Sequence, residues 1–332
     1  MTALSVLDQS PVIAGSTAAA ALRASVDLAG HAERLGYRRY WVAEHHDTAA
    51  LAGSAPEVLT AGVAARTDTI RVGAGGILLS HYPALKVAET FRVLHALFPG
   101  RIDLGLGRAD AGGPIVVSAL AGAGYAADED AYRQRVVSLL DLLDDGGHSD
   151  RVRAAPLGVG PPEVWVLGSS AVGAGLAAQL GLRFSFAHFV SPAFAAQIVA
   201  GYRAQFRPSR HCSTPQASLA VSVICADTEA EAARLARSDD LWHLTSARHD
   251  REPLMTTDEA ATFRPTDIEE QLLVQQKGRR IVGAVEDVHG ALDGLATACG
   301  VDELVVRTVC PDPAARIHSY ELLAGAFGIV PA

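Results

Sequence analysis

The chain has 332 residues, of which 49% are hydrophobic and 20% are charged, a composition that is ordinary for a globular protein. Its formal net charge is -9, and no run of Lys or Arg forms the basic stripe that follows a nucleic-acid backbone. Composition and charge together argue against a nucleic-acid-binding protein.

The cysteines and the N-terminal segment bear on the cellular compartment. The cysteines lie far apart and form no C-x-x-C pair, which favours reduced thiols over disulfides or zinc: Cys212, Cys225, Cys299 and Cys310. The chain enters the strand-like segment 4–7 directly, without the basic and apolar regions of a signal peptide. The Ala-rich run 17–22 is soon broken by Arg23 and is too short to span a bilayer. We therefore expect a cytoplasmic protein without a membrane partner.

Short aliphatic runs alternate with Ala- and Leu-rich helical stretches along the chain. The predicted strands cover residues 4–7, 40–43, 70–74, 102–106, 164–167, 183–187, 219–225 and 303–307. The predicted helices cover residues 18–35, 56–66, 84–97, 130–143, 171–180, 192–206, 229–244, 285–299 and 311–327. Eight strands, mostly followed by helices, favour an α/β fold closed into a (β/α)8 TIM barrel over an open sheet. A single domain over residues 1–332 is expected, because such barrels commonly run past about 250 residues.

Two segments interrupt this rhythm as insertions. Residues 144–162 are rich in Gly, Asp and Pro and predict a surface excursion before the fifth strand. Residues 245–280 are longer, polar and poorly periodic, and a structureless insertion of that length is typical of a lid or a disordered loop. A mobile lid over the site and a plain surface insertion both remain open.

The second predicted strand ends in Glu44, His45 and His46, where barrel enzymes carry their chemistry. Side chains alternate along a strand, so a straight strand would send only one of the two imidazoles inward. A histidine that faces the pocket suits proton transfer, because its pKa lies near neutrality. We predict these three as catalytic residues, against the alternative of two loop histidines without a chemical role. No metal site is expected, because no H-x-H or H-E-x-x-H motif accompanies the pair.

Glycine and arginine follow the next two strands. Gly75 and Gly76 offer a backbone without side chains, which suits a flat ligand and equally suits a tight barrel corner. Arg108 follows the fourth strand, where its guanidinium could form paired hydrogen bonds with a phosphate.

The fifth predicted strand ends in Gly168, Ser169 and Ser170, and a helix follows. Hydroxyls and unpaired N–H groups at a helix N-terminus form an anion site, and the same serines would serve as N-caps. The chain thus places a histidine, a bare backbone, an arginine and a hydroxyl-bearing helix start at one rim of the barrel. That arrangement predicts a phosphorylated planar cofactor.

With these motifs the chain resembles the bacterial luciferase-like flavin-dependent oxidoreductases, most of all the single-chain group that begins with Leu-Ser-Val-Leu-Asp-x-Ser-Pro. The matching segments are 4–11, 40–46, 54–57, 70–76, 85–89, 99–108, 165–170 and 177–182. The resemblance implies a (β/α)8 barrel that binds FMN, with O2 as co-substrate, reduced flavin supplied by a separate reductase, and a homodimeric assembly.

The resemblance also implies roles for individual residues. His45 matches the family's histidine that assists oxygen chemistry at the flavin, and the pair Gly75 and Gly76 matches a non-proline cis peptide beside the isoalloxazine ring. Arg108 and Ser170 match the family's phosphate contacts, with Ser169 adjacent.

Three positions depart from the family's pattern. Gly173 stands where relatives carry a hydroxyl, and a lost hydrogen bond to a charged group costs roughly 1.5–3 kcal/mol, which predicts weak flavin retention. Residues 80–84 depart from the usual Pro-Asn-His-Ala-Pro and are expected to alter the pocket wall. Gly107 replaces the reactive cysteine of true luciferase, so no thiol chemistry is expected there.

A G-x-G-x-x-A match from Gly173 lies inside a predicted helix, which excludes a dinucleotide site.

An FMN-dependent monooxygenase that acts on a small organic substrate is the leading interpretation. Of 28 Lys and Arg residues only Lys86 and Lys277 are lysines, which is typical of a GC-rich genome. A role in tailoring an aromatic or polyketide secondary metabolite, as in antibiotic biosynthesis, fits such a genome. The alternatives are an oxidoreductase that transfers hydride with F420, a non-catalytic flavin-binding protein, and a metal-dependent hydrolase. The sequence lacks the spacing of metal ligands that a metal-dependent hydrolase would need.

Overall fold

The computed structural model describes residues 2–108, 113–121, 128–145, 152–247 and 252–330. Within these ranges the chain forms nine strands that pair in parallel. They are β1 (Ala3–Asp8), β2 (Arg39–Val42), β3 (Arg71–Leu78), β4 (Ile102–Gly107), β5 (Glu163–Gly168), β6 (Arg183–Ala187), β7 (Ala217–Ala226), β8 (Arg280–Ala284) and β9 (Glu303–Arg307).

Helices surround the strands. They are α1 (Ala18–Arg34), α2 (Pro56–Arg66), α3 (Ala84–Leu97), α4 (Pro114–Ala121), α5 (Glu129–Leu143), α6 (Ala171–Leu180), α7 (Ala195–Gln205), α8 (Glu229–Ala247), α9 (Thr257–Thr262), α10 (Asp267–Gln276), α11 (Val285–Cys299) and α12 (Pro313–Phe327). None of the helices in the described ranges combines the length and the apolar composition that crossing a bilayer requires. The four cysteines are free, buried thiols.

Eight of the strands close into a ring. β1 to β7 pair in chain order, β7 then pairs with β9, and β9 pairs with β1. This ring confirms the predicted (β/α)8 barrel, and each of the eight predicted strands overlaps one of its members. β7 has ten buried residues, and its C-terminal half pairs with β8, which the sequence analysis did not predict. β8 was missed because its five residues directly follow a polar stretch that masks a short apolar run.

The barrel interior is charged at the N-terminal ends of the strands. Buried Arg39 contacts the carboxylates of Asp103 at 2.7 Å and Glu303 at 2.6 Å. Burial alone would raise the pKa of Asp103, but Arg39 and a second guanidinium hold that pKa below its usual value. The Arg39 guanidinium also lies 4.8 Å from the Trp165 ring centroid and 5.7 Å from that of Trp41. The two indoles form an apolar layer, which becomes the floor of the site.

Of the two predicted insertions, the longer one differs from the expected loop within the described residues. Residues 252–280 contain α9 and α10. The expectation of a structureless insertion was therefore wrong for this part. A capping box of Thr256 and Glu259 starts α9, and short polar helices of this kind carry little periodic signal. Buried Leu254 bridges to Ile13 beyond the end of β1, which anchors the segment near the barrel mouth. Its role as a lid stays a prediction. Residues 152–162 of the other excursion form neither helix nor strand.

Candidate functional site

A cavity of about 1030 Å³ opens at the C-terminal ends of the barrel strands. Of the nine residues predicted for the site, all but His46 line it: Glu44, His45, Gly75, Gly76, Arg108, Gly168, Ser169 and Ser170. The barrel brings these residues together from four different strand ends, because parallel strands direct all their C-termini to one rim.

The floor of the cavity is apolar. Leu7, Trp41 and Leu167 line it, and the Trp165 ring lies behind Trp41 with centroids 5.3 Å apart in an edge-on arrangement. Phe189, which follows β6, forms part of the wall. Such a surface favours the body of a flat organic ligand over an ion.

Gly75 and Gly76 form the shelf at the end of β3. The peptide bond between them is cis, as the resemblance implied. A Cβ atom at Gly75 would lie 2.8 Å from Cβ of Trp41, and one at Gly76 would lie 2.6 Å from the carbonyl oxygen of Gly105. Both positions therefore require glycine for packing. The two interpretations of this glycine pair, a tight barrel corner and a backbone open to a flat ligand, are compatible with each other.

His45 occupies the rim beside this shelf. Its backbone N–H bonds to the Gly53 carbonyl at 2.8 Å, and its ring Nε2 lies 3.4 Å from Nε2 of Gln9. Nδ1 is buried and has no hydrogen-bond partner in the protein. Burial lowers the pKa of His45 to about 4, and the positive charges of Arg307 and His46 add to the effect. The imidazole is therefore neutral at pH 7, and its Nδ1 atom has no hydrogen-bond partner in the protein.

The side chains of Glu44 and His46 are engaged in hydrogen bonds within the protein. The Glu44 carboxylate accepts hydrogen bonds from the Leu78 N–H at 2.8 Å and the Tyr82 hydroxyl at 2.6 Å. The same carboxylate contacts Nε2 of His46 at 2.8 Å. These contacts join the ends of β2 and β3, so the geometry favours His45 over its two neighbours as the group that meets a ligand. The catalytic roles of Glu44 and His46 stay predictions.

Two arginines lie on the side of the cavity near α5. Arg108 forms an ion pair with Glu129 at 3.1 Å, and both side chains are exposed. Arg133, which the sequence analysis missed, also lines the cavity and donates to Gln179 at 2.6 Å. No strand end precedes Arg133, so the rule that located Arg108 gave no signal for it.

The start of α6 completes the rim. Ser170 is the N-cap, with extended backbone angles, but its hydroxyl makes no capping hydrogen bond. The first N–H groups of the helix have no intrahelical acceptor, and they are available to an anion together with the hydroxyls of Ser169 and Ser170. The cavity thus combines hydroxyls and helix N–H groups on one side with a bare flat shelf and a neutral imidazole in its lining, and these features fit a phosphorylated planar cofactor.

A metal centre finds no support in the same geometry. Across the part of the chain that the structure describes, no group of three or more His, Cys, Asp or Glu side chains is placed to hold a metal ion.

Comparison with known proteins gives matches that cover most or all of the chain. A family model described as luciferase-like monooxygenase matches residues 2–303. The chain is 37% identical to a luciferase-like monooxygenase of Escherichia coli (strain K12), with 96% of this chain and 95% of that one covered. It is 34% identical to the N-acetyl-S-alkylcysteine monooxygenase of Bacillus subtilis (strain 168), with 98% of each covered. The crystal structure of apo-MsnO8 matches with a TM-score of 0.93 at 40% identity over 100% of both chains.

Two more distant structures share the fold with different cofactors. The oxygenating constituent of 3,6-diketocamphane monooxygenase from Pseudomonas putida, in complex with FMN, has a TM-score of 0.72 at 20% identity and covers 100% of this chain and 98% of its own. An F420-dependent secondary alcohol dehydrogenase has a TM-score of 0.68 at 15% identity, with 98% of each chain covered. At these identities the likeness shows the fold alone.

Proposed function

The chain belongs to the luciferase-like monooxygenase family, and from that premise we propose that it oxygenates a small organic substrate with reduced FMN and O2. One observation carries the proposal: the cis shelf, the neutral imidazole and the anion-binding rim all line one cavity. When bound, reduced FMN supplies the electrons that activate O2 for transfer of one oxygen atom to the substrate.

The anion-binding side of the cavity would hold the FMN phosphate. Arg108 supplies a guanidinium, and Ser169 and Ser170 supply hydroxyls beside the unpaired N–H groups of α6. The phosphate would compete with Glu129 for Arg108, because the ion pair between those two side chains is exposed and therefore weak.

The shelf and the floor would orient the ring system. Without Cβ atoms, Gly75 and Gly76 let a flat ring approach the backbone, and the Trp41 side chain closes the space beneath them. His45 presents an uncharged imidazole to the same space, which suits hydrogen bonding to an oxygen atom without delivering a positive charge. The apolar floor beneath the ring would help to keep water away from it, as such chemistry requires.

The substrate and the partners belong to the same proposal. The apolar lining, which includes Leu7 and Phe189, suits an aromatic or polyketide substrate of the kind expected from the sequence. The B. subtilis relative is named for oxygenation of an S-alkylcysteine, which adds thioethers to the classes worth testing. Gly173 and Gly175 lie inside α6 and not at a dinucleotide-binding turn. A separate flavin reductase, which the family resemblance implies, would supply the electrons. A homodimer is expected from the family resemblance.

The test combines cofactor binding with isotope labelling. Purified protein is titrated with FMN, riboflavin and F420, and is then supplied with a flavin reductase, NADH and ¹⁸O2 in the presence of aromatic and thioether substrates. We expect FMN to bind more tightly than riboflavin or F420, and we expect one ¹⁸O atom in the product. A His45→Ala variant should bind FMN as the wild type does and give less product for each NADH consumed. Preference for F420, or product oxygen from water, would contradict the proposal.

A further inference from the structure

A line of buried side chains runs from the cavity wall to α8. Arg307, the last residue of β9, is 3% exposed and donates through Nε to the side-chain oxygen of Gln9. Its other nitrogens donate to the Ser222 hydroxyl at 2.9 Å and to the Asp239 carboxylate at 3.0 Å. Gln9, which lines the cavity, places its amide nitrogen 3.4 Å from Nε2 of His45. None of these partners was predicted from the sequence.

The chemistry of the donors fixes the direction of each hydrogen bond in this line. A guanidinium has only N–H donors, so the Gln9 atom that faces Arg307 must be the amide oxygen. The atom that faces His45 is then the NH2 group, which can only donate. Nε2 of His45 must therefore accept, which means that it carries no proton. In a neutral imidazole the single proton then resides on Nδ1, the buried atom without a partner in the protein.

We propose that Gln9 and Arg307 are positioning residues that hold His45 as the neutral Nδ1–H tautomer. In this tautomer Nδ1 carries the ring proton, and Nε2 accepts a hydrogen bond from Gln9. The assignment of the tautomer is independent of the ligand, and only its catalytic consequence rests on the proposed function.

The charges around His45 act in the same direction. A second proton on the ring would place an N–H donor against the Gln9 NH2 group and bring positive charge toward Arg307 and His46. The carboxylate of Glu44, which precedes His45 in the chain, is hydrogen-bonded to His46 and to two other donors. Asp239 neutralises Arg307 from the far side, which allows that guanidinium to remain buried. His45 consequently acts as a fixed hydrogen-bond donor at neutral pH and not as a charged acid.

The test reads the tautomer directly in the ligand-free, full-length protein. Long-range ¹⁵N–¹H correlation spectra of protein labelled at histidine distinguish a protonated from an unprotonated ring nitrogen, and loss of one signal set in His45→Gln assigns the resonances. We expect Nδ1 protonated and Nε2 unprotonated in wild type from pH 6 to 8. Gln9→Glu keeps the shape but replaces the donor by a second acceptor. In that variant the proton should move to Nε2, and the midpoint of the His45 titration should rise by about one to three pH units.

Two further variants distinguish the effect of the hydrogen bonds among Arg307, Gln9 and His45 from an effect of side-chain packing. Arg307→Lys keeps a donor-only group beside Gln9 and should retain the wild-type tautomer, whereas Gln9→Leu removes both contacts and should leave a mixture. Thermal melting and circular dichroism verify that each variant is folded. A wild-type ring that is protonated at Nε2 or charged at pH 7 would overturn the proposal, and so would a folded Gln9→Glu variant with the wild-type pattern.

The proposed function is tested separately by the pH dependence of oxygenation. In Gln9→Glu the acid limb of the pH profile should move by the same interval as the His45 titration. If the protein prefers F420 but His45 shows the expected tautomer, the roles of Gln9 and Arg307 are supported and FMN-dependent oxygenation is refuted. A protein that oxygenates with FMN but carries the proton on Nε2 would support the proposed function and refute the proposed tautomer.

Discussion

Gly173, in the first turn of α6, is the position where a single substitution should most improve cofactor binding. It lines the cavity beside the hydroxyls of Ser169 and Ser170, where the family resemblance calls for one more hydroxyl. A Cβ atom there would lie 3.7 Å from Cα of Gly168 and 3.8 Å from Cε2 of Phe184, which are ordinary contacts. Because the backbone is helical at this position, Gly173→Ser is free of both clash and strain.

The expected gain follows from the chemistry of the new contact. A hydrogen bond to a charged group contributes roughly 1.5–3 kcal/mol, which corresponds to a Kd for FMN that is about 10 to 150 times lower. Serine also favours a helix over glycine by about 0.5 kcal/mol, so the variant should be slightly more stable without ligand. Gly173→Ala is the matched control, because alanine gives at least that helix gain and adds no hydroxyl.

Calorimetric titration of the three proteins with FMN and with riboflavin separates the two effects. FMN should bind Gly173→Ser more tightly than either Gly173→Ala or wild type, and riboflavin should bind all three alike. Equal tightening in the serine and alanine variants would assign the effect to helix stability. Equal tightening for riboflavin would show that the phosphate does not lie at this helix, and both outcomes refute the reasoning.

Arg108→Ala should weaken FMN at least about tenfold, the loss of one charge-assisted hydrogen bond, and leave riboflavin unchanged; equal losses in titrations of the two would make Arg108 structural. Glu129→Gln frees Arg108 from an exposed ion pair of about 0.2–1 kcal/mol, so FMN should bind up to about fivefold tighter at low salt, less so in high salt. The folded pKa of His45 is about 4 against 6.5 unfolded, so the unfolded chain takes up the proton first as the pH falls. From pH 8 to 5, wild type should lose about 2 kcal/mol more of its unfolding free energy in urea than His45→Gln, and parallel curves would disprove the shift.

The strands were predictable because barrel strands are buried on both faces and therefore appear as short aliphatic runs. β2 and β9 illustrate this, since all their residues are buried in spite of the charges at their first positions. The elements that were missed lack such a contrast. α10 has a largely polar sequence, whereas α4 is apolar along nearly its whole length, so neither presents the one-sided apolar stripe that sequence periodicity can detect.

The site was predictable to the same extent as the barrel rim. His45, Arg108 and Ser170 follow strand ends, and closure of the ring brings strand ends together. Local turn geometry decides which of two adjacent histidines faces inward, and no periodicity encodes that choice. The contacts that set the state of His45 link residues nearly 300 positions apart, as in the bond from Arg307 to Gln9. Such contacts exist only after the ring closes.

The distribution of buried charge along the barrel axis explains how the chain can keep a neutral imidazole beside an arginine. At the N-terminal end, Arg39 and its carboxylates contact one another directly, and the guanidinium lies against the indoles of Trp41 and Trp165. At the other end Arg307 is also paired, but its Nε–H group donates to the Gln9 oxygen and so directs the Gln9 amide nitrogen toward His45. Removing Asp239 would leave a buried guanidinium without its counter-charge, a defect that costs about 3–5 kcal/mol in comparable pairs. The carboxylate on α8 is therefore needed for stability, and through Arg307 it also sets the hydrogen bond that the site presents.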